Sequence, residues 1–200
     1  MIEITLTEFV DFVIKSGSPK VTVVKNCKKR HQETYDPKTD FYKKLRDGIV
    51  DFHRRAQPKA ALDALVHGIA DKNKVVAYPI LVAAYKRFLG RKNFAWFQPP
   101  KESWIHSTLS VTLNPELGVE IEGEPHLIKL YFKDQQPSKL QVNSILHLLH
   151  LELENKKQPR TIALLDIRRA KLITMGTPDP LLTPLVQGEA LSFAQIYNAL

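Results

Sequence analysis

From Leu109 to Lys133 apolar and polar residues alternate with a period of two, and no other stretch of the chain restricts its possible folds as sharply. Leu109, Val111 and Leu113 alternate with Ser110 and Thr112 until Asn114-Pro115 interrupts them, because proline has no amide hydrogen to give a strand ladder. Leu117, Val119 and Ile121 then resume the pattern, and His126, Ile128, Leu130 and Phe132 carry it along a return strand. With Gly123-Glu124 as a two-residue turn, glycine supplies the positive φ of a type II′ hairpin, Val119 faces Ile128 and Leu117 faces Leu130. One face is then apolar apart from His126. The other carries Glu116, Glu120, Lys129, Tyr131 and Lys133.

Before Pro99-Pro100 the period is that of helices. Thr5 and Glu8 form a capping box ahead of Leu6, Phe9, Val10 and Val13, and Gly17 stands where that helix would end. Val21 to Val24 reads as a short extended piece. Phe41, Leu45, Ile49, Phe52 and Ala56 define an amphipathic helix, and Pro58 opens another whose stripe is Leu62, Leu65, Val66 and Ile69. The sequence DKNK (71–74) reads as a break, after which Pro79 starts a buried helix that stops at Gly90.

Beyond the hairpin, Pro137-Ser138 begins a helix with Val142, Ile145, Leu146, Leu149 and Leu153 on one face, expected to pack on the apolar side of the hairpin. Thr161 to Ile167 and Lys171 to Met175 read as strands, and the proline-punctuated tail as one or two short covering helices. The fold class is therefore α+β: a helical N-terminal region followed by a small mixed sheet, with a hairpin–helix–strand core covered by helices. The expected organisation is a basic, mainly helical region over 1–98 and an α+β region over 99–200, with hairpin 109–133, helix 138–155 and strands 161–175.

The net charge is +8 over 200 residues, and its distribution is more informative than its size. Residues 1–100 hold 19 basic and 10 acidic side chains, whereas residues 101–200 hold 10 and 11. Clustered lysine and arginine gain affinity for phosphate by releasing counterions, so DNA or RNA is the expected partner. Lys28, Lys29, Arg30, Lys43, Lys44, Arg54 and Arg55 are the candidate phosphate contacts. No apolar run approaches the roughly 20 residues that span a bilayer, so no membrane partner is expected. Acidic residues occupy the N-terminus where a signal peptide would be basic, and the single cysteine cannot close an internal disulfide; a cytoplasmic location is the expectation.

The order strand, strand, strand, helix, strand, with Pro115-Glu116 at the start of one strand and Lys129 on the next, resembles the PD-(D/E)XK, or restriction-endonuclease-like, nuclease superfamily. The resemblance covers roughly residues 104–167. It implies a metal-dependent nuclease core in which Glu116 holds a divalent cation, normally magnesium, beside the scissile phosphate, and Lys129 orients or activates the attacking water. The family's second acid falls at Leu127, so Glu120 on the adjoining strand is the substitute ligand, giving Glu116, Glu120 and Lys129 as catalytic candidates and the two glutamates as the metal pair. An apolar residue at a metal-ligand position also fits a core that has lost cutting and only binds. The alternative is a non-enzymatic interaction or scaffold protein whose basic surface meets an acidic partner, with Glu116, Glu120 and Lys129 as ordinary cross-strand pairs.

Two further groupings are weaker. His147, His150 and Glu154 recur at helical spacing but suit the edge of a core as well as a metal. Cys27 and His31 lack the second pair that a zinc finger requires.

Overall fold

The computed structural model describes residues 1–32, 40–154, 158–176 and 179–200. Among them, strands and helices follow in the order β1 (Ile2–Thr5), α1 (Leu6–Val13), α2 (Ser18–Gln32), α3 (Lys43–Arg54), a 3-10 segment (Lys59–Val66), α4 (Lys72–Leu89), β2 (Phe94–Phe97), β3 (Glu102–His106), β4 (Leu109–Leu113), β5 (Leu117–Ile121), β6 (Glu124–Tyr131), α5 (Lys139–Leu153), β7 (Thr161–Asp166), β8 (Lys171–Thr174) and α6 (Leu182–Ala199). The fold is α+β.

Five strands form the main sheet in the order β2-β5-β6-β7-β8, and β1-β4-β3 form a second, smaller sheet. In the main sheet β6 and β7 run parallel, joined by the α5 crossover, and every other neighbouring pair is antiparallel. Asn114-Pro115 separates β4 from β5 and sends them to different sheets, so the expected 109–133 hairpin is the β5–β6 hairpin alone. The two regions expected from the charge distribution share both sheets. β1 pairs with β4 and β2 with β5 across the proposed boundary.

Each face of the main sheet is covered. Leu117, Val119, Ile128, Leu130, Ala163 and Leu165 point to the side packed by α3, the 3-10 segment and α4. Leu127, Tyr131, Ile162 and Leu164 point to the other side, packed by α1, α5, α6 and the small sheet. The helix expected on the apolar side of the hairpin, α5, lies on the opposite side. Both sides of the parallel pair are apolar, and the crossover that joins parallel strands must run over one face. Helix α4 already occupies the face expected for α5.

Local signals account for most helix ends. The capping box at Thr5 is present, and Ser138 Oγ accepts from the Gln141 amide at the start of α5. Asp71 caps α4 by accepting from Asn73 and Lys74, so the sequence expected to break the helix is its first turn, and Pro79 lies inside it on an exposed flank. Val21–Val24 is helical within α2, where Val24 and Cys27 are buried against α1: packing overrides the β preference of four β-branched residues. The tail is one 18-residue helix.

The hairpin register differs from the expected one by two residues. Its turn is Glu122-Gly123, both at positive φ (51° and 88°), as a type I′ turn needs, and Leu117 pairs with Ile128. Glu122 is held there from outside the hairpin: its carboxylate accepts the Asn93 amide at 2.7 Å and its own amide donates to Asn93 O at 3.1 Å. A shift of two leaves each side chain on its expected face. On the same sheet, a Cβ on Gly118 would lie 2.5 Å from Phe97 O, so this position brings β2 and β5 together only as glycine.

Val119 is fully buried and Glu120 exposed. Val119→Asp is expected to destabilise by about 4 kcal/mol or more, since it buries an unpaired carboxylate, and Glu120→Gln by less than about 0.5 kcal/mol; urea unfolding of both variants checks the faces. Burial lowers the pKa of His53 to about 4, with its Nε2 2.5 Å from Tyr85 Oη. A histidine depressed in the fold contributes stability above its unfolded value near 6.5 and loses it as pH falls towards 4, here on the order of 3 kcal/mol. Unfolding midpoints measured from pH 7 to 4 are expected to fall less steeply in His53→Gln.

Candidate functional site

Glu116 stands immediately before β5 and Lys129 in the middle of β6, opposite one another if the ladder is continued from Leu117–Ile128. Lys129 Nζ donates to Glu116 Oε1 at 2.6 Å and to Asn114 O at 3.2 Å, and the Leu130 amide donates to Glu116 Oε2 at 2.8 Å. Both side chains are nearly out of water, at 10% and 12% exposure. Their sheet face is the one covered by α5, so the pair is no solvent-facing cross-strand bridge.

Glu120 does not join them. It lies four residues along β5, about 13 Å away, opposite Pro125 and exposed. The Glu116 carboxylate turns the other way, towards Leu130. Each of its oxygens already accepts a hydrogen bond, one from a cation, and the neighbouring position is Leu127, which offers no ligand atom. Magnesium requires several hard oxygen donors in octahedral array at 2.0–2.1 Å. The donor set around Lys129 does not fit it, and the expected Glu116–Glu120 metal pair does not form.

The ion pair lies in the wall of a cavity of about 880 Å³, within the range of ligand-binding clefts. Four cations line it, each held by a carboxylate: Lys129 by Glu116, Arg30 by Glu8 (2.7 Å), Arg46 by Asp40 (2.7 Å) and Lys133 by Asp11 (2.8 Å). Burial alone would lower the pKa of Arg46. The hydrogen bond and charge of Asp40, then Glu116 and Asp47, outweigh it and hold the guanidinium above its ordinary range. Gln141, from the first turn of α5, also faces the cavity at 6% exposure. The cavity is thus polar yet self-neutralised.

Of the expected phosphate contacts, Arg30 alone reaches this cavity. Lys28 donates to Tyr197 O, Lys44 to His67 O, Lys43 pairs with Asp47, and Arg54 and Arg55 share Asp51; Lys29 is exposed on α2. The sequence reading passed over Arg46, Asp11 and Gln141, whose convergence depends on three separate elements. A second basic group gathers at the C-terminus of α4, in a dense basic stretch of the sequence whose residues are not among the candidate contacts. Lys59 Nζ donates to Gly90 O (3.2 Å), Lys92 Nζ to Phe88 O (2.6 Å) and Arg87 Nη2 to Arg168 O (3.4 Å), with Arg91 exposed between them. Among the described residues, no carboxylate pairs with Lys59, Arg87, Arg91 or Lys92. Helix-end carbonyls draw these cations together. The dense stretch from Tyr85 to Lys92 was the available signal.

The grouping of His147, His150 and Glu154 resolves into packing, as does Asp166. His147 bonds Thr183 Oγ1 (3.0 Å), His150 bonds Glu154 (3.1 Å), and buried Asp166 takes the Arg169 guanidinium at the β7–β8 turn (3.0 Å). No model of a known protein family matches the chain, and no curated protein matches it in sequence.

Removing one partner of a buried ion pair leaves the other charge stranded. Lys129→Met is expected to destabilise by about 3–5 kcal/mol, and adding Glu116→Gln to recover most of that loss. Denaturant unfolding of the two single variants and the double variant measures this coupling; additive effects would mean the pair is not buried as described.

Proposed function

We propose that this chain is a nucleic-acid-associated protein built on a restriction-endonuclease-like core that binds without cutting. The observation that carries the reading is the incomplete donor set of the would-be metal site: Glu116, hydrogen-bonded by Lys129 and the Leu130 amide, stands there without Glu120, and Leu127 stands in the second acid's place. The parallel β6–β7 pair around α5 and the meeting of Glu116 with Lys129 on one sheet face support the resemblance, although the strand beside β5 is β2 and not β4, which sequence order counted as the first core strand. Binding in this reading rests on charge. Among the described residues, Lys59, Arg87, Arg91 and Lys92 have no carboxylate to release before they meet a phosphate, unlike Lys86 beside them, which pairs with Asp63, and most of the cations on α2 and α3.

The test is retention and cleavage of DNA and RNA. Log affinity is expected to fall linearly with log salt, and Lys59→Gln, Arg87→Gln, Arg91→Gln and Lys92→Gln together to flatten the slope by about 0.9 per lost contact on duplex DNA. The triple change Lys28→Gln, Lys29→Gln, Arg30→Gln is expected to flatten it less. No cleavage is expected with Mg²⁺ or Mn²⁺. Metal-dependent cleavage that disappears in a folded Glu116→Gln variant would overturn the non-cutting part, and absence of binding at low salt would leave an acidic protein as the partner of the basic surface.

A further inference from the structure

Helices α1 and α2 bring together three side chains that sequence spacing could not connect. Cys27 and His31 are four residues apart and so lie on one face of α2. Glu8 reaches them from α1, and one ligand atom from each of the three lies within 4.8 Å of the others. Cys27 Sγ and His31 Nε2 are 3.6 Å apart. A tetrahedral zinc ion with Zn–S near 2.3 Å and Zn–N near 2.05 Å sets its sulfur and nitrogen ligands about 3.6 Å apart.

The ring orientation agrees. His31 Nδ1 lies 3.4 Å from Tyr197 Oη, on the far side of the ring from the cysteine. With the Nδ1 proton directed at that oxygen, Nε2 presents its lone pair to the Cys27 side, the arrangement by which an outer hydrogen bond fixes a metal-binding histidine. Glu8 Oε2 accepts from the Thr5 amide and hydroxyl, whereas Oε1 accepts from Arg30 of α2, and the Cys27 thiol hydrogen-bonds the same carboxylate. Cys27 is fully buried and His31 exposed, so the cluster has an apolar floor and a side open to solvent.

We propose that Glu8, Cys27 and His31 form a zinc site with one sulfur, one nitrogen and one oxygen donor, water completing the fourth position. Zinc joins α1 to α2 there, and through Tyr197 to α6, independently of any nucleic-acid role. Without metal the thiol is protonated, burial and then Glu8 pushing it up to about 12. Metal entry therefore forms the Zn–S bond, breaks the S–H bond and releases that proton to solvent. Arg30 is the competing cation at Glu8.

Titration of the metal-free full chain with Co²⁺, then displacement by Zn²⁺, is the test. The expected result is one equivalent bound, with a thiolate-to-cobalt charge-transfer absorption that zinc removes. Cys27→Ser is expected to abolish that absorption, and His31→Ala and Tyr197→Phe to weaken binding at least about tenfold. Arg30→Gln is expected to tighten it, an effect that a purely structural Arg30–Glu8 bridge does not produce. Circular dichroism and melting in chelator identify variants that fail to fold. His31 is exposed, so His31→Ala keeps the test decisive if Cys27→Ser does not fold. Absence of the charge-transfer absorption at stoichiometric cobalt, or zinc affinity unchanged in His31→Ala, overturns the site.

Discussion

Strands β6 and β7 are apolar on both faces, and a parallel pair of that kind needs a layer on each side. Leu127, Ile162 and Leu164 look one way and Ile128, Leu130, Ala163 and Leu165 the other. The rest of the architecture answers this requirement. The α5 crossover and α6 close one face with α1 and the small sheet, and α3 and α4 close the other. N-terminal and C-terminal segments are interleaved because the first half covers one face through α3 and α4, whereas the other face takes α1 from the first half together with α5 and α6 from the second.

Lys129 is the basic residue that this arrangement places inside the sheet, at 8% exposure between Leu127 and Tyr131 on the same face. A charge in that position persists only when it is paired and hydrogen-bonded. Glu116 and the Asn114 carbonyl supply the partners, and the Asn114-Pro115 interruption puts both within reach by ending β4 and redirecting the chain into β5. The same contacts that make the ion pair tolerable give each Glu116 oxygen a hydrogen bond. One interaction thus serves the stability of the sheet and fixes the orientation of the carboxylate.

Charge on the outside follows a different rule. Arg46 and Lys133 are balanced carboxylate by carboxylate around the cavity, so that region has little net attraction for an anion despite its density of cations. The end of α4 is the reverse case: apart from Lys86, which pairs with Asp63, its cations gather on helix-end and loop carbonyls, which carry partial charge only. Counting lysines and arginines along the chain cannot distinguish these two situations, because the difference lies in which residues the fold brings alongside them.

Local rules that act within a few residues were legible in the sequence. The Thr5–Glu8 box, the Ser138 cap, the α5 stripe and the period of two through β4, β5 and β6 all appear where spacing puts them. That Glu116 and Lys129 share a face was legible too, since alternation fixes the face, whereas their direct opposition follows from the register shift of two. What failed needed partners from elsewhere in the chain. Asn93 holds Glu122 at positive φ and so moves the turn by one residue. Burial against α1 turns Val21–Val24 into helix, and α4 takes the sheet face that periodicity offered to α5. Likewise Glu8 lies nineteen positions before Cys27 and comes to it only because α1 and α2 fold into a hairpin. Sequence determined the faces and the caps, through short-range sterics and hydrogen bonding. Tertiary structure decided which face meets which, because that choice depends on the burial of every other element at once.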